Sequence, residues 1–188
     1  MSKRINIHRI NKSIPKQKGM TFIEVLIALV IMVTGILGAV AMQATAKKGS
    51  FDAMQRSLAS SLAQDIVERM RSNDATALAS YVGTDYGVAL NAVPGKRCDT
   101  IGGLCTTTEM ATNDLYEWEL ALMGADVKNG TSNAGGLIDA TSCIDVTDNA
   151  VTVVITWEGR TELVNGRTES CGDSGSKRRQ VLVEAFVF

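Results

Sequence analysis

From Met20 to Met42 the chain runs 23 residues with one charged side chain, Glu24, and only Thr21, Thr34 and no other polar side chain. At about 1.5 Å of rise per residue this run makes a helix of roughly 35 Å, enough to cross a bilayer with some tilt. Everything after Met42 has the composition of an ordinary soluble domain. A chain of 188 residues has room for one modest domain plus such an anchor.

Charge fixes the orientation of the anchor. Residues 1–19 hold Lys3, Arg4, Arg9, Lys12, Lys16 and Lys18 and no acid, so they carry +6, and the formal −1 of the whole chain leaves −7 for the rest. Positive charge ahead of the apolar run keeps the N-terminus in the cytoplasm and places the C-terminal part outside. An acidic exported part argues against nucleic acid as a general partner, while leaving room for a local basic patch. All four cysteines, Cys98, Cys105, Cys143 and Cys171, fall in that part. An even count in an oxidising compartment points to two disulfides. No Cys-x-x-Cys pair is present and the one histidine, His8, precedes the apolar run, so the sequence predicts no metal site and no cofactor.

Three kinds of N-terminal segment compete. A cleaved secretory signal has the basic start and the small-x-small Ala44-Thr45-Ala46, but uses a shorter apolar stretch. An uncleaved signal anchor has the right length. Neither accounts for a carboxylate at the start of the apolar run, because a charge within the bilayer costs about 2.5–3.5 kcal/mol on insertion scales, less near its edge. The stretch KGMTFIEVLIALV resembles the type IV prepilin signal: a basic leader, a glycine, then a carboxylate at the fifth mature position. That resemblance implies cleavage by prepilin peptidase between Gly19 and Met20, with Met20 as the N-methylated first residue. The family usually has Phe where Met20 stands. Glu24 then has a role. The new amine at Met20 and the positive end of the helix favour a nearby carboxylate, and in a filament the Glu24 of one subunit pairs with the terminal amine of a neighbour. A buried charge without its partner is strongly unfavourable, so such a pair enforces register.

The helical pattern continues beyond the apolar run. Phe51, Met54, Leu58, Leu62, Ile66 and Met70 recur at steps of three or four, with Asp52, Gln55, Arg56, Asp65, Arg69 and Arg71 largely elsewhere. The predicted end is near Ser72-Asn73, giving one helix of roughly 80 Å from Met20 whose second half needs a head to cover its apolar stripe. Gly35 and Gly38 are its weak points. Residues 74–106 read as irregular. Thr106 and Glu109 have the spacing of a capping box, and Ala111, Leu115, Trp118 and Leu122 share one face before Gly124, so a second helix is expected with Trp118 as a core anchor. Residues 142–147 and 151–157 read as a hairpin across Asp148-Asn149. A polar excursion over 158–178 follows, with a small hairpin at Asn165-Gly166. QVLVEAFVF then forms a last strand. The basic Lys177, Arg178 and Arg179 read as the solvated flank of that strand. The simplest geometry for this order joins Cys98 to Cys105 as a short clip and Cys143 to Cys171 as a staple on the excursion.

The sequence of elements is similar to the pilin fold: α+β, a long N-terminal helix, membrane anchor plus amphipathic half, packed on a C-terminal antiparallel sheet. GMTFIEVLIALVIMVTGILGAVAMQATA and MQRSLASSLAQDIVERMRSN, with NDLYEWELAL and VTVVITWEG, resemble the minor pilins of the PilV-like class, also called type IV pilus modification proteins. The resemblance implies a leader over 1–19, a transmembrane half-helix over 20–42, an amphipathic half over 43–73 and a periplasmic or extracellular head over 74–188. It implies a structural subunit of a priming or tip complex, held in the inner membrane before entering the pilus. Its partners are then prepilin peptidase, other minor pilins, the major pilin, the inner-membrane assembly platform and membrane lipid. Without a histidine in the mature chain, or any nucleophile–base pairing, no catalytic residue is assigned and no enzyme is expected. A type II secretion pseudopilin has a similar N-terminus. A tip adhesin or DNA-uptake pilin using the 158–178 excursion is the more distant alternative.

Overall fold

The computed structural model describes residues 19–99, 104–163 and 170–187. The chain divides between Gln43 and Ala44 into two units, taken here one at a time. One element, α1 (Phe22–Ser72), contributes to both.

In the first unit α1 starts just after Thr21, with Gly19 and Met20 outside the helix. The Thr21 carbonyl accepts the N–H groups of Glu24 and Val25 at 3.1 and 3.3 Å. Its hydroxyl accepts the Glu24 N–H at 3.4 Å, so it serves as the cap of the first turn. The hydroxyl of Thr34 is satisfied inside the helix by donating to the carbonyls of Val30 and Ile31. No polar group of that side chain therefore asks for water. Every residue from Met20 to Gln43 is exposed, including Phe22, Leu29, Ile31, Ile36 and Leu37.

In the second unit α1 buries Gln55, Ala59, Leu62, Ala63, Ile66, Val67 and Met70. The expected stripe is right from Leu62 onward, but nearer the start it is rotated. Met54 is 57% exposed and Gln55 only 3%. The reason is chemical rather than hydrophobic, since Gln55 has two backbone partners waiting for it, described below. Small Ala59 and Ala63 on the same face let the head approach the helix closely.

After α1 the chain is more ordered than the sequence suggests. Asp74 caps a 3₁₀ helix (Ala75–Tyr81), and β1 (Gly83–Tyr86) follows. Helix α2 (Thr107–Met123) begins with the expected capping box of Thr106 and Glu109 and ends at Gly124 with φ of +63°. A Cβ at Gly124 would overlap the backbone of Gly135, so glycine is required there for packing as well as for dihedral angle. Two-residue strands β2 (Lys128–Asn129) and β3 (Ser132–Asn133) form a small hairpin across Gly130, φ +66°.

Strands β4 (Thr141–Thr147), β5 (Ala150–Glu158) and β6 (Arg178–Phe186) join β1 in one antiparallel sheet of order β1-β4-β5-β6. The β4–β5 hairpin turns at Asp148-Asn149 as the alternation predicts, with Asp148 at φ +56°. Val151, Val153, Ile155 and Trp157 point from β5 into the core shared with α1 and α2. There Trp118 donates its indole N–H to the Leu62 carbonyl at 2.8 Å and meets Tyr86 edge to face at 5.9 Å. On the other face of β5, Val154 and Thr156 are also buried. The Thr156 hydroxyl donates to the carbonyls of Thr141 and Cys171, so the segment around Cys171 covers that side. The expected turn at Asn165-Gly166, residues 1–18 and Phe188 lie outside the described residues.

Candidate processing site and assembly helix

Gly19 and Met20 are exposed and non-helical, immediately ahead of the first turn of α1. A Cβ on Gly19 would meet nothing within 4 Å. Glu24 sits in that first turn and is the one acidic residue there, where the helix dipole favours a carboxylate. Thr21 and Glu24 have capping-box spacing, and the Thr21 arm is present. Gly19 and Met20 therefore lie immediately ahead of the turn that carries the Glu24 carboxylate. Downstream, the side chains of Val30, Ile31, Val33, Ile36, Leu37 and Val40 are all more than half exposed. An apolar helical surface of this extent needs lipid or other subunits around it.

Within the head, three polar grips hold α1. Nearest the apolar run, Asp52 accepts the Arg160 N–H at 2.7 Å, the Thr161 hydroxyl at 2.7 Å and the Arg179 guanidinium at 3.3 Å. Burial alone would push its carboxyl up, but these two hydrogen bonds and the Arg179 charge hold it below the ordinary carboxylate value. A turn along, Gln55 donates from Nε2 to the Gly136 carbonyl at 3.2 Å and accepts the Ile138 N–H at 3.1 Å. Its amide completes the 136–138 backbone in the way a neighbouring strand would. At the far end Arg69 reaches Asp65, Asp114 and Glu117 at 3.0, 3.3 and 3.1 Å. Arg97 closes on Glu117 at 2.8 Å, and the Tyr81 hydroxyl donates to Asp114 at 2.7 Å. Glu117 is pushed up by burial and brought below its ordinary value by Asn113, Arg69 and Arg97.

The ERMRSN stretch thus has a structural meaning. Arg69 ties α1 to α2, and Ser72 donates to the Glu68 carbonyl at 2.9 Å. Asn73 donates to both the Tyr81 hydroxyl and the Thr107 carbonyl, at 3.1 and 2.8 Å. These residues are the junction of α1, the 3₁₀ helix and α2.

The C-terminal basic run is not a solvated flank. Arg178 is 5% exposed and bonds the Asp139 carbonyl and carboxylate, and Arg179 is held by Asp52 and Thr161. Only Lys177 of the three is exposed. Periodicity missed these arginines, Asp52 and Gln55 because each is a polar residue buried or half-buried against a partner distant in sequence. Glu119 belongs with them. It is 1% exposed and accepts the backbone N–H groups of Gly87 and Asn91 at 2.8 and 2.9 Å.

Cys98 is joined to Cys105 and Cys143 to Cys171, with Cα separations of 5.8 and 5.9 Å. The first closes a loop ahead of α2. The second ties β4 to the segment that covers the outer face of the sheet. Among the described residues no cluster of histidine, cysteine or acidic side chains is arranged to hold a metal ion.

Two family models match the chain. The prokaryotic N-terminal methylation motif covers residues 14–40, and the family described as Tt1218-like, type IV pilin Tt1218, covers residues 41–116. No curated protein and no solved structure shows significant similarity. The two matches abut near the end of the apolar run and together span residues 14–116, which hold α1, the 3₁₀ helix, β1 and the first part of α2. The exposed apolar helix fits membrane anchoring and incorporation into a pilus. The motif, the family match and the helix-plus-sheet architecture together support a type IV pilin subunit.

Proposed function

We propose that this chain is a minor pilin of the PilV-like class, a non-catalytic subunit of the priming complex at the pilus tip. Prepilin peptidase cleaves after Gly19 and methylates the Met20 amine. The mature chain waits in the inner membrane with its head in the periplasm, and Glu24 pairs with a terminal amine when the subunit enters the filament. The observation that carries this reading is the exposed apolar half of α1, whose single carboxylate lies one turn from the proposed cleavage point. In such surroundings a carboxylate stands at a cost unless a cation joins it, and cleavage at Met20 supplies one.

Resemblance in the ERMRSN junction favours a PilV-like subunit over a major pilin, and the two-disulfide head favours it over a type II secretion pseudopilin. The test is intact-mass analysis of the protein extracted from membranes, together with recovery from sheared pili. A mature chain beginning with methylated Met20, present in pili at far below the amount of the major subunit, is expected. A chain beginning at Lys47 would refute pilin processing. Equal stoichiometry with the major subunit would refute a minor role.

A further inference from the structure

Six of the chain's cations lie in residues 1–19 and Glu24 lies in the apolar run, so residues 44–188 carry a formal −6. Against that excess, a cavity of about 380 Å³ on the head is lined, among the described residues, by Lys48, Arg160 and Lys177, with Glu158 as the one carboxylate and Gly159 and Ile138 completing the wall. All three cationic residues are exposed. Among the described residues none of the three takes part in an ion pair. Asp52, close in sequence to Lys48, is paired with Arg179 at 3.3 Å and does not line this cavity. The Arg160 guanidinium rests over the Phe51 ring at 4.7 Å, which positions the cation without cancelling its charge.

The wall is built by backbone pairing. Gly159 donates its N–H to the Lys177 carbonyl at 2.8 Å, and Glu158 donates to the Ile138 carbonyl at 2.8 Å. Chain segments far apart in sequence are thereby locked together beneath the charges. Their address along the chain is also specific. Lys48 follows Lys47 in α1 and comes six residues after Met42, about 9 Å of helix beyond the end of the apolar run. Lysine side chains beside a membrane-spanning run characteristically extend their ammonium groups toward lipid headgroups.

We propose that this pocket binds the phosphate of an anionic phospholipid headgroup on the periplasmic surface of the inner membrane, before the subunit leaves for the filament. Charge complementarity chooses the ligand, and the apolar run, ending just before the pocket's first cation, chooses its source. A free phosphate offers the same oxygens without that proximity. The inference rests on the reading that the first half of α1 lies in the membrane. Three cations set against one carboxylate give on the order of a tenfold preference for an anionic over a zwitterionic headgroup.

The test uses the full chain purified in detergent and exposed to equal amounts of phosphatidylglycerol and phosphatidylcholine, with retained lipid counted by native mass spectrometry. About tenfold more phosphatidylglycerol is expected on the wild-type chain, falling below twofold in Lys48→Gln/Lys177→Gln. Lys128→Gln, at an exposed lysine that does not line the pocket, is expected to keep the preference. Melting of each variant is checked first. Should the double variant melt early, Lys177→Gln alone is used, with an expected drop of about threefold. Equal retention of the two lipids by the wild-type chain overturns the inference, as does an unchanged preference in the folded variant. Loss of phosphatidylglycerol to millimolar inorganic phosphate overturns the lipid as its source. Alkaline carbonate extraction separates the two levels of failure. A chain that leaves the membrane refutes anchoring itself, whereas an integral chain without lipid preference refutes only the pocket.

Discussion

Between Met20 and Gln43 no side chain is buried, whereas between Gln55 and Met70 seven are. The same helix backbone runs through both stretches, so the difference lies in what each asks of its surroundings. The first offers large aliphatic side chains and satisfies its own hydroxyl at Thr34, leaving Glu24 as its one charged group. The second uses small residues to admit the head closely, and buries polar side chains that only the head can satisfy. An element designed to change its surroundings keeps its partners outside the chain; one designed to stay put keeps them inside.

Four experiments sharpen that contrast. The largest effect is expected from Glu24→Ala, which should leave membrane insertion, processing and head stability unchanged while removing the subunit from sheared pili. A stranded terminal amine costs about 3–5 kcal/mol, a several-hundredfold shift in assembly. Wild-type recovery in sheared pili would show that the first stretch has no such internal demand. Trp118→Ala addresses the opposite stretch. It removes a fully buried ring and its bond to the Leu62 carbonyl, so the head in detergent-solubilised full chain should lose about 3–5 kcal/mol by denaturant titration. A loss below 1 kcal/mol would mean that α2 is not what holds α1.

Breaking the staple with Cys143→Ser/Cys171→Ser should cost about 2–4 kcal/mol, since the bridge closes 28 residues of sequence. The clip mutant Cys98→Ser/Cys105→Ser should cost less, and a reversed order would shift the weight of the head from sheet to loop. The smallest effect is expected from Asp52→Asn, about 1–3 kcal/mol near neutral pH. Its pH dependence checks the cause. The folded carboxyl lies below its ordinary value of 3.8, so its contribution is present above that value and is lost as the pH falls through the lower folded one. Wild type and Asp52→Asn should therefore converge in stability at acid pH, and parallel curves would refute the pairing.

Much of this architecture is legible in the sequence where the signal is local. Thr106, Glu109 and Gly124 mark both ends of α2, and the alternation of Val151, Val153, Ile155 and Trp157 marks β5 and its hairpin with β4. Met20 to Met42 marks the exposed stretch. The 3₁₀ helix and β1 were hidden because short elements have too few residues for a period to show, although Asp74 and Thr76 are an ordinary cap. The β2–β3 hairpin left one trace, the turn dipeptide Asn129-Gly130. Gln55, Arg178 and Arg179 were illegible for another reason. Their burial depends on Gly136, Ile138, Asp139 and Asp52, and a polar residue looks solvated until its distant partner is known.

Gln55 also answers a mechanical question. A side-chain amide that both donates to Gly136 and accepts from Ile138 acts as a detent on the helix. Sliding the head by one turn, about 5.4 Å, would present Phe51 or Ala59 at that place, and neither side chain can meet the two backbone groups. A pull along α1 is therefore resisted by hydrogen bonds loaded in shear at Gln55 and Asp52, which must break together before the head can creep. Glutamate at this position could accept but not donate when ionised, and would turn the detent into a weak stop.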